Sequence, residues 1–244
     1  MTPPAPGAPE QPREREGPIV TLDGPAGSGK STTAREVARR LGFRHLDSGA
    51  FYRALTVALL ERGIAPERWA GLVPEDFDRI PLRVEPMPNG FRVRLGEHPL
   101  EEELRTPRVT AEVSSLASLR AVRGWLLGIQ REAGRRGRLV ADGRDMGTVV
   151  FPDAEVKVFL TADLWERARR RLRDHGVERP TAAQLEQEAQ RITERDRTDS
   201  ERELAPLRRP ADAFDLDTTG FDFDAQVEAI VRRVRQVDHP GRPI

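Results

Sequence analysis

The chain of 244 residues has no cysteine, which removes disulfides, thiol nucleophiles and thiolate metal ligands. Its four histidines (His45, His98, His175 and His239) are scattered and match no metal-ligand spacing. Lysine is nearly missing: Lys30 and Lys157 are the only two among 40 basic residues. The rest are arginine, which suits bidentate binding of phosphate and carboxylate, although genome composition explains the bias equally well. Aromatics make up only 5% and the formal net charge is zero. Both argue against a nucleic-acid surface, and the neutral balance gives no field toward anionic membranes. No stretch approaches the ~20 apolar residues of a membrane-spanning helix. The first seventeen residues hold five prolines and no apolar core, so they read as a disordered tail rather than a leader. A soluble cytoplasmic monomer is expected.

What is present begins at Pro18. A short apolar strand, Ile19 to Asp23, runs into Gly24-Pro25-Ala26-Gly27-Ser28-Gly29-Lys30-Ser31-Thr32. Behind it Ala34, Val37, Ala38 and Leu41 recur at helical spacing, with Gly42 as the C-terminal cap. GxxxxGK[ST] between strand and helix is the setting a phosphate-binding loop requires. The glycines turn backbone N–H groups inward to form an anion nest at a helix N-terminus. Lys30 reaches the β- and γ-phosphates and the Ser31 hydroxyl can ligate Mg²⁺.

Beyond the loop the pattern alternates strands with helices, which predicts an α/β fold with a parallel sheet covered on both faces and ligands at the strands' carboxyl ends. Strand candidates are 43–47, 138–141, 156–160 and 214–217. Helices are predicted over 51–62, 107–117, 119–135, 163–175, 181–197 and 224–237. Alternation at Leu82 and Val84, a Pro88-Asn89-Gly90 turn, and alternation at Phe91, Val93 and Leu95 signal an inserted hairpin. Asp47-Ser48-Gly49-Ala50-Phe51-Tyr52-Arg53 follows a strand and opens a helix, a plausible second anion site. Arg144 sits at a strand's carboxyl end. Arg195, Asp199 and Arg202 share one face if their segment is helical. Each arginine alone reads as solvated or ion-paired; several converging on one cleft suggest two phosphate-bearing substrates. Asp142 reads equally as an acid contacting Mg²⁺ through water or as a strand-end turn residue.

Four segments together, GPAGSGKST at 24–32, LDSGAFYR at 46–53, ADGRDMGTVVFPDA at 141–154 and the ERD…D…R…LAPL pattern at 194–207, resemble the bacterial cytidylate kinases, a family of nucleoside monophosphate kinases. The resemblance covers about 18–237. It implies a P-loop core over 18–62 and 106–237, a monophosphate-binding insertion with a small antiparallel sheet over 63–105, a helical lid about 163–200, and tails at 1–17 and 238–244. It implies phosphoryl transfer from ATP to CMP and dCMP with Mg²⁺. Residues 24–32 would bind ATP. Ser48, Arg53, Arg144 and Arg202 would surround the acceptor phosphate, and Arg195 and Asp199 the ribose. Ser114, Arg123 and Asp145 would read cytosine; without the resemblance Ser114 and Arg123 look like ordinary helix-surface residues. Of the arginines in the lid, Arg167 and Arg171 share a helix face and are the pair expected to act at the phosphoryl group. Two other readings stay open: a P-loop kinase of a metabolite hydroxyl, and a nucleotide-driven switch, against which no Asn-Lys-x-Asp run is found.

Overall fold

The computed structural model describes residues 15–238. The tails expected at 1–17 and 238–244 therefore fall outside it, apart from Arg15 to Gly17 and Asp238. Arg15 is salt-bridged to Asp153 and lies 3.5 Å from Glu155, and the Glu16 N–H donates to Arg136 O.

The element order is β1 (Ile19–Asp23), α1 (Lys30–Leu41), β2 (Arg44–Asp47), α2 (Ser48–Glu61), α3 (Pro74–Asp78), β3 (Leu82–Met87), β4 (Gly90–Leu95), β5 (His98–Pro99), α4 (Pro107–Leu116), α5 (Arg120–Gly134), β6 (Leu139–Gly143), β7 (Val156–Thr161), α6 (Leu164–Asp174), α7 (Ala182–Glu201), β8 (Phe214–Asp217) and α8 (Phe223–Asp238). The sheet runs β3-β4-β2-β6-β1-β7-β8, with β5 added beside β4. Its central pairs, β2–β6, β6–β1, β1–β7 and β7–β8, are all parallel. Every residue of β1 and β6 is buried, as a strand covered on both faces requires.

Alternate residues feed two cores. Ile19, Leu46 and Leu139 pack with Leu55, Leu59, Leu116 and Leu126 on one face. Val20, Leu22, Val140 and Val158 pack with Val37, Ile230 and Val234 on the other. This layering brings Asp23, Asp47, Gly143, Thr161 and Asp217 to one edge, where parallel α/β sheets bind ligands.

The parallel-sheet expectation holds, with three local differences. Helix α2 starts at Ser48 rather than Phe51 because the Asp47 carboxylate caps it, accepting from the Ala50 N–H at 3.1 Å. The mixed region 64–77 contains a 3₁₀ turn burying Trp69 and the short α3 burying Phe77. The hairpin β3–β4 forms, yet it extends the central sheet rather than standing apart. Gly90 meets His45 on β2, where a Cβ would come within 2.7 Å of His45 O, so only glycine permits the junction. Among the described residues no helix is long and apolar enough to cross a membrane.

Candidate active site

The phosphate loop leaves β1 through Gly24, whose φ of 151° excludes a side chain; a Cβ there would lie 2.0 Å from Leu160 O. It enters α1 through Gly29 (φ 89°), which offers no side-chain cap and so leaves the first-turn N–H groups open to an anion. Lys30 is buried and folded back, donating to Pro25 O at 2.6 Å and Ser28 Oγ at 3.2 Å. Burial and the nearby Arg144 charge push its pKa well below the ordinary lysine value, against the pull of Asp142 and Asp196. Ser31 Oγ donates to Asp142 Oδ2 at 2.5 Å, and His45 Nε2 lies 2.7 Å from Asp142 Oδ1. Burial alone would raise the Asp142 carboxyl, but His45, Ser31 and Lys30 together hold it below the usual carboxylate range. Thr32 is exposed in the first turn of α1.

Beside the loop lies an open cleft. All nine residues read from sequence as acceptor-binding open onto it: Ser48, Arg53, Ser114, Arg123, Arg144, Asp145, Arg195, Asp199 and Arg202. Ser31 and Asp142 form its wall toward the phosphate loop. Ser48 begins α2 and receives a 3.3 Å hydrogen bond from the buried Gln130. Arg53, a turn and a half later, stands 3.8 Å from Asp47. Arg144 Nε donates to Asp199 Oδ2 at 2.8 Å. Arg195, Asp199 and Arg202 do share a face, because α7 runs to Glu201 and Arg202 is its C-cap. At the far end Arg123 is hydrogen-bonded to Asp145, donates to Ala117 O at 2.9 Å, and stacks 5.6 Å from the Tyr52 ring. Tyr52 is pushed up to about 12, mainly by burial.

The charge balance of the cleft is uneven. Burial pushes the Arg195 guanidinium down to about 9, and the charges of Arg144 and Arg53 add to the shift against Asp199. Burial and Arg123 likewise lower Arg202. Asp199 moves the opposite way: burial would raise it, but Arg144 and Arg195 outweigh that and hold it low. Two guanidinium nitrogens here, Arg195 Nε and Arg202 Nη2, are buried without a hydrogen-bond partner. Arg202 Nη2 has only Asp145 Oδ1 at 3.8 Å, too far to bond.

The two favoured lid arginines diverge. Arg167 lies against the phosphate loop, donating to Ala26 O at 3.0 Å and pairing with Asp196. Arg171 turns to the buried Glu188 at 2.7 Å. Neither lines the acceptor cleft. Several members of the site were missed from sequence. Asp196 accepts from the Ala26 N–H at 2.8 Å, and Thr218 Oγ1 donates to Ser28 O at 3.2 Å while Arg170 donates to Thr218. His45, Gln130 and Tyr52 were also missed; of these only Tyr52 had a signal, its place within the LDSGAFYR segment.

A phosphate loop facing an arginine-crowded second cleft across one sheet edge defines the class: a P-loop α/β protein. The chain belongs to the cytidylate kinase family, whose model matches residues 20–236. It is 44% identical to a cytidylate kinase of an Exiguobacterium species, over 89% of this chain and 96% of that one. It is 43% identical to the cytidylate kinase of Chlorobaculum tepidum, over 93% and 97%. It is also 46% identical to a bifunctional pantoate ligase/cytidylate kinase of Synechococcus, over 90% of this chain but only 45% of that longer protein. The chain thus spans about half the length of the bifunctional relatives it matches.

Proposed function

We propose that the chain transfers the γ-phosphoryl group of ATP to CMP and dCMP, giving CDP and dCDP. The observation that carries this is the excess of buried guanidinium in the cleft, with Arg195 Nε and Arg202 Nη2 lacking partners. Buried unpaired donors are costly. A dianionic monophosphate entering the cleft would satisfy them and neutralise the mutual repulsion of Arg53, Arg144 and Arg195.

The acceptor phosphate has a second pKa of about 6 and is already nucleophilic at neutral pH. No general base is required, and the carboxylates of the cleft are engaged: Asp145 and Asp199 by arginines, Asp142 by Ser31 and His45, and Asp47 as the cap of α2. This tells against the metabolite-hydroxyl reading, which wants a positioned base. Catalysis is then positioning and charge neutralisation around an in-line transfer. Ser48, Arg53, Arg144 and Arg202 hold the acceptor phosphate, and Arg195 and Asp199 the ribose. Residues 24–32 wrap the donor phosphates, and Lys30 swings from Pro25 O to the group in transit. Arg167, at the rim of the loop, adds charge there as α6–α7 closes and excludes water. Arg171 serves that closure through Glu188.

The donor set suits Mg²⁺. The Ser31 hydroxyl and the Asp142 carboxylate are hard oxygen ligands 2.5 Å apart, at the junction of loop and cleft. Among the described residues no three acidic or histidine side chains group to hold a metal unaided. Ser31, and Asp142 through water, would hold the ion, which would lower the repulsion between the donor phosphates and the acceptor. For base choice, Asp145 Oδ1 accepts from the cytosine N4 amino group while Arg123 donates to the same edge. Uracil reverses that polarity and leaves buried groups mismatched. We read the chain as a monomer working in the cytoplasm.

A coupled ADP-release assay across CMP, dCMP, UMP, AMP and GMP tests the reading. CMP and dCMP are expected to turn over fastest. Faster turnover of UMP or AMP would overturn it.

A further inference from the structure

Asp23 ends β1, one residue before the phosphate loop, and the chemistry above does not use it. Its side chain is fully buried. Oδ1 accepts from the Met146 N–H at 2.8 Å and Oδ2 from the Gly147 N–H at 2.7 Å. These are the two residues that follow Asp145. From the other side, a single π-helical turn, Met146–Val150, folds back so that the Val149 and Val150 N–H groups donate to Asp145 O at 2.9 and 3.1 Å. The main chain of Asp145 is therefore gripped immediately beyond its own peptide.

Both ends of the grip are rigid. Asp23 pairs with Gly143 on β6 and Phe159 on β7, and Gly24 beside it leaves no room for a side chain. Gly147 approaches so closely that a Cβ would come within 2.8 Å of Thr21 Oγ1 and 3.3 Å of Asp23 Oδ2. Burying a carboxylate here is costly, and burial pushes Asp23 up to about 7 against the two N–H bonds and Lys30. An apolar side chain would fill the position without that cost. What the carboxylate alone supplies is two acceptor oxygens matched to two consecutive N–H groups.

We propose that Asp23 is a positioning residue for base selection: it clamps the Met146–Gly147 main chain and so fixes where Asp145 presents its acceptor oxygen in the cleft. The clamp ties the strand that launches the phosphate loop to the loop that reads the base. This role rests on the cytidine-nucleotide reading above.

The test is Asp23→Asn, which keeps one acceptor but turns an NH₂ toward the second N–H. The expected result is a rise of about tenfold in KM for CMP and a fall of about tenfold in the CMP-to-UMP ratio of kcat/KM. Binding of a non-hydrolysable ATP analogue should change less than about twofold, since the loop itself is not touched. A purely structural role would lower Tm and the active fraction while leaving the ratio unmoved, and that outcome overturns the proposal. If the variant does not fold, amide hydrogen exchange on the unmodified chain decides: strong protection at Met146 and Gly147 supports the clamp, and exchange as fast as an open loop overturns it. Absence of any CMP preference in the unmodified chain would sink the activity reading and the selectivity role with it. A wild-type preference that Asp23→Asn leaves intact would sink the role alone.

Discussion

The acceptor cleft and the α6–α7 hairpin are both rich in arginine, but they hold it differently. In the cleft Arg144, Arg123 and Arg53 issue from β6, α5 and α2, elements whose apolar sides are sealed in the sheet's large cores. Their neighbours Arg195 and Arg202 keep donors with no partner. In the hairpin the buried apolar set shrinks to Ala168, Ala189 and Ile192 against Ala26, with Leu164 and Leu185 partly covered. There Arg167, Arg170 and Arg171 are matched to Asp196, Glu166 and Glu188. On the proposed reading the cleft is arranged in advance for an anion, so binding there needs little reorganisation. The outer part of the hairpin pairs most of its own charges, Arg167 Nε apart, while Arg195 and Arg202 at the far end of α7 belong to the cleft. Arg170–Glu166 is the most exposed of these pairs and worth little, whereas Arg167–Asp196 and Arg171–Glu188 are largely buried, so their exchange must be offset by contacts to the nucleotide.

The largest expected effect strikes where the two regions meet. Lys30→Met removes the cation aimed at the transferred group and should lower kcat by roughly 10²–10³, read in the coupled ADP assay, with CMP affinity nearly unchanged. A loss shared equally by KM for CMP would mean the donor and acceptor regions are not separable. Next comes stability. Leu126→Ala hollows a fully buried core position and should cost about 2–5 kcal/mol in denaturant unfolding. Ile192→Ala deletes a comparable side chain from the hairpin's small apolar set and should fall at the low end, about 2 kcal/mol. If the hairpin change unfolds the whole chain as readily as the core change, the proposed difference in rigidity is wrong.

What the sequence revealed of the two regions was uneven for a physical reason. The phosphate loop and segments 46–53 and 141–154 carry their function locally, in residues a few positions apart, and all the acceptor residues named from them meet in one cleft. Helical spacing likewise put Arg195, Asp199 and Arg202 on a common face. Spacing gives the phase of a helix but not its partner. It could not tell that Arg167 meets the phosphate loop while Arg171, on the same face, meets Glu188. Asp196 and Thr218 reach the loop across 170 and 190 residues of chain; Asp196 lies within the ERD segment at 194–196, but spacing does not say what it meets. The hairpin's attachment to β2 depends on one missing Cβ at Gly90, which a turn signal explains just as well.

A moderate effect should come from anions alone. Inorganic phosphate is expected to raise Tm by a few degrees, because it binds the folded cleft and not the unfolded chain. Arg202→Gln should abolish most of that gain, while Arg171→Gln should leave it. Equal loss from both variants would erase the distinction between an anion-seeking cleft and a self-paired hairpin.

The smallest expected effect is a pH dependence that belongs to the seam between the regions. Asp23 is faced by the Met146 and Gly147 N–H groups, by Lys30, which lowers its pKa, and by Asp145, which raises it; burial dominates and leaves it about 7 against an ordinary 3.8. Between those values the folded chain binds a proton that the unfolded chain has already released. The stability this contributes is complete below about pH 4 and is lost as pH rises through about 7. Asparagine does not titrate. The Tm gap between the wild type and Asp23→Asn should therefore shift by a few degrees in favour of asparagine from pH 5 to pH 8. The same substitution is expected to blunt base selection, so one residue would gain stability and lose discrimination together. A gap that stays flat with pH would mean that the two N–H bonds hold the carboxylate ionised throughout that range.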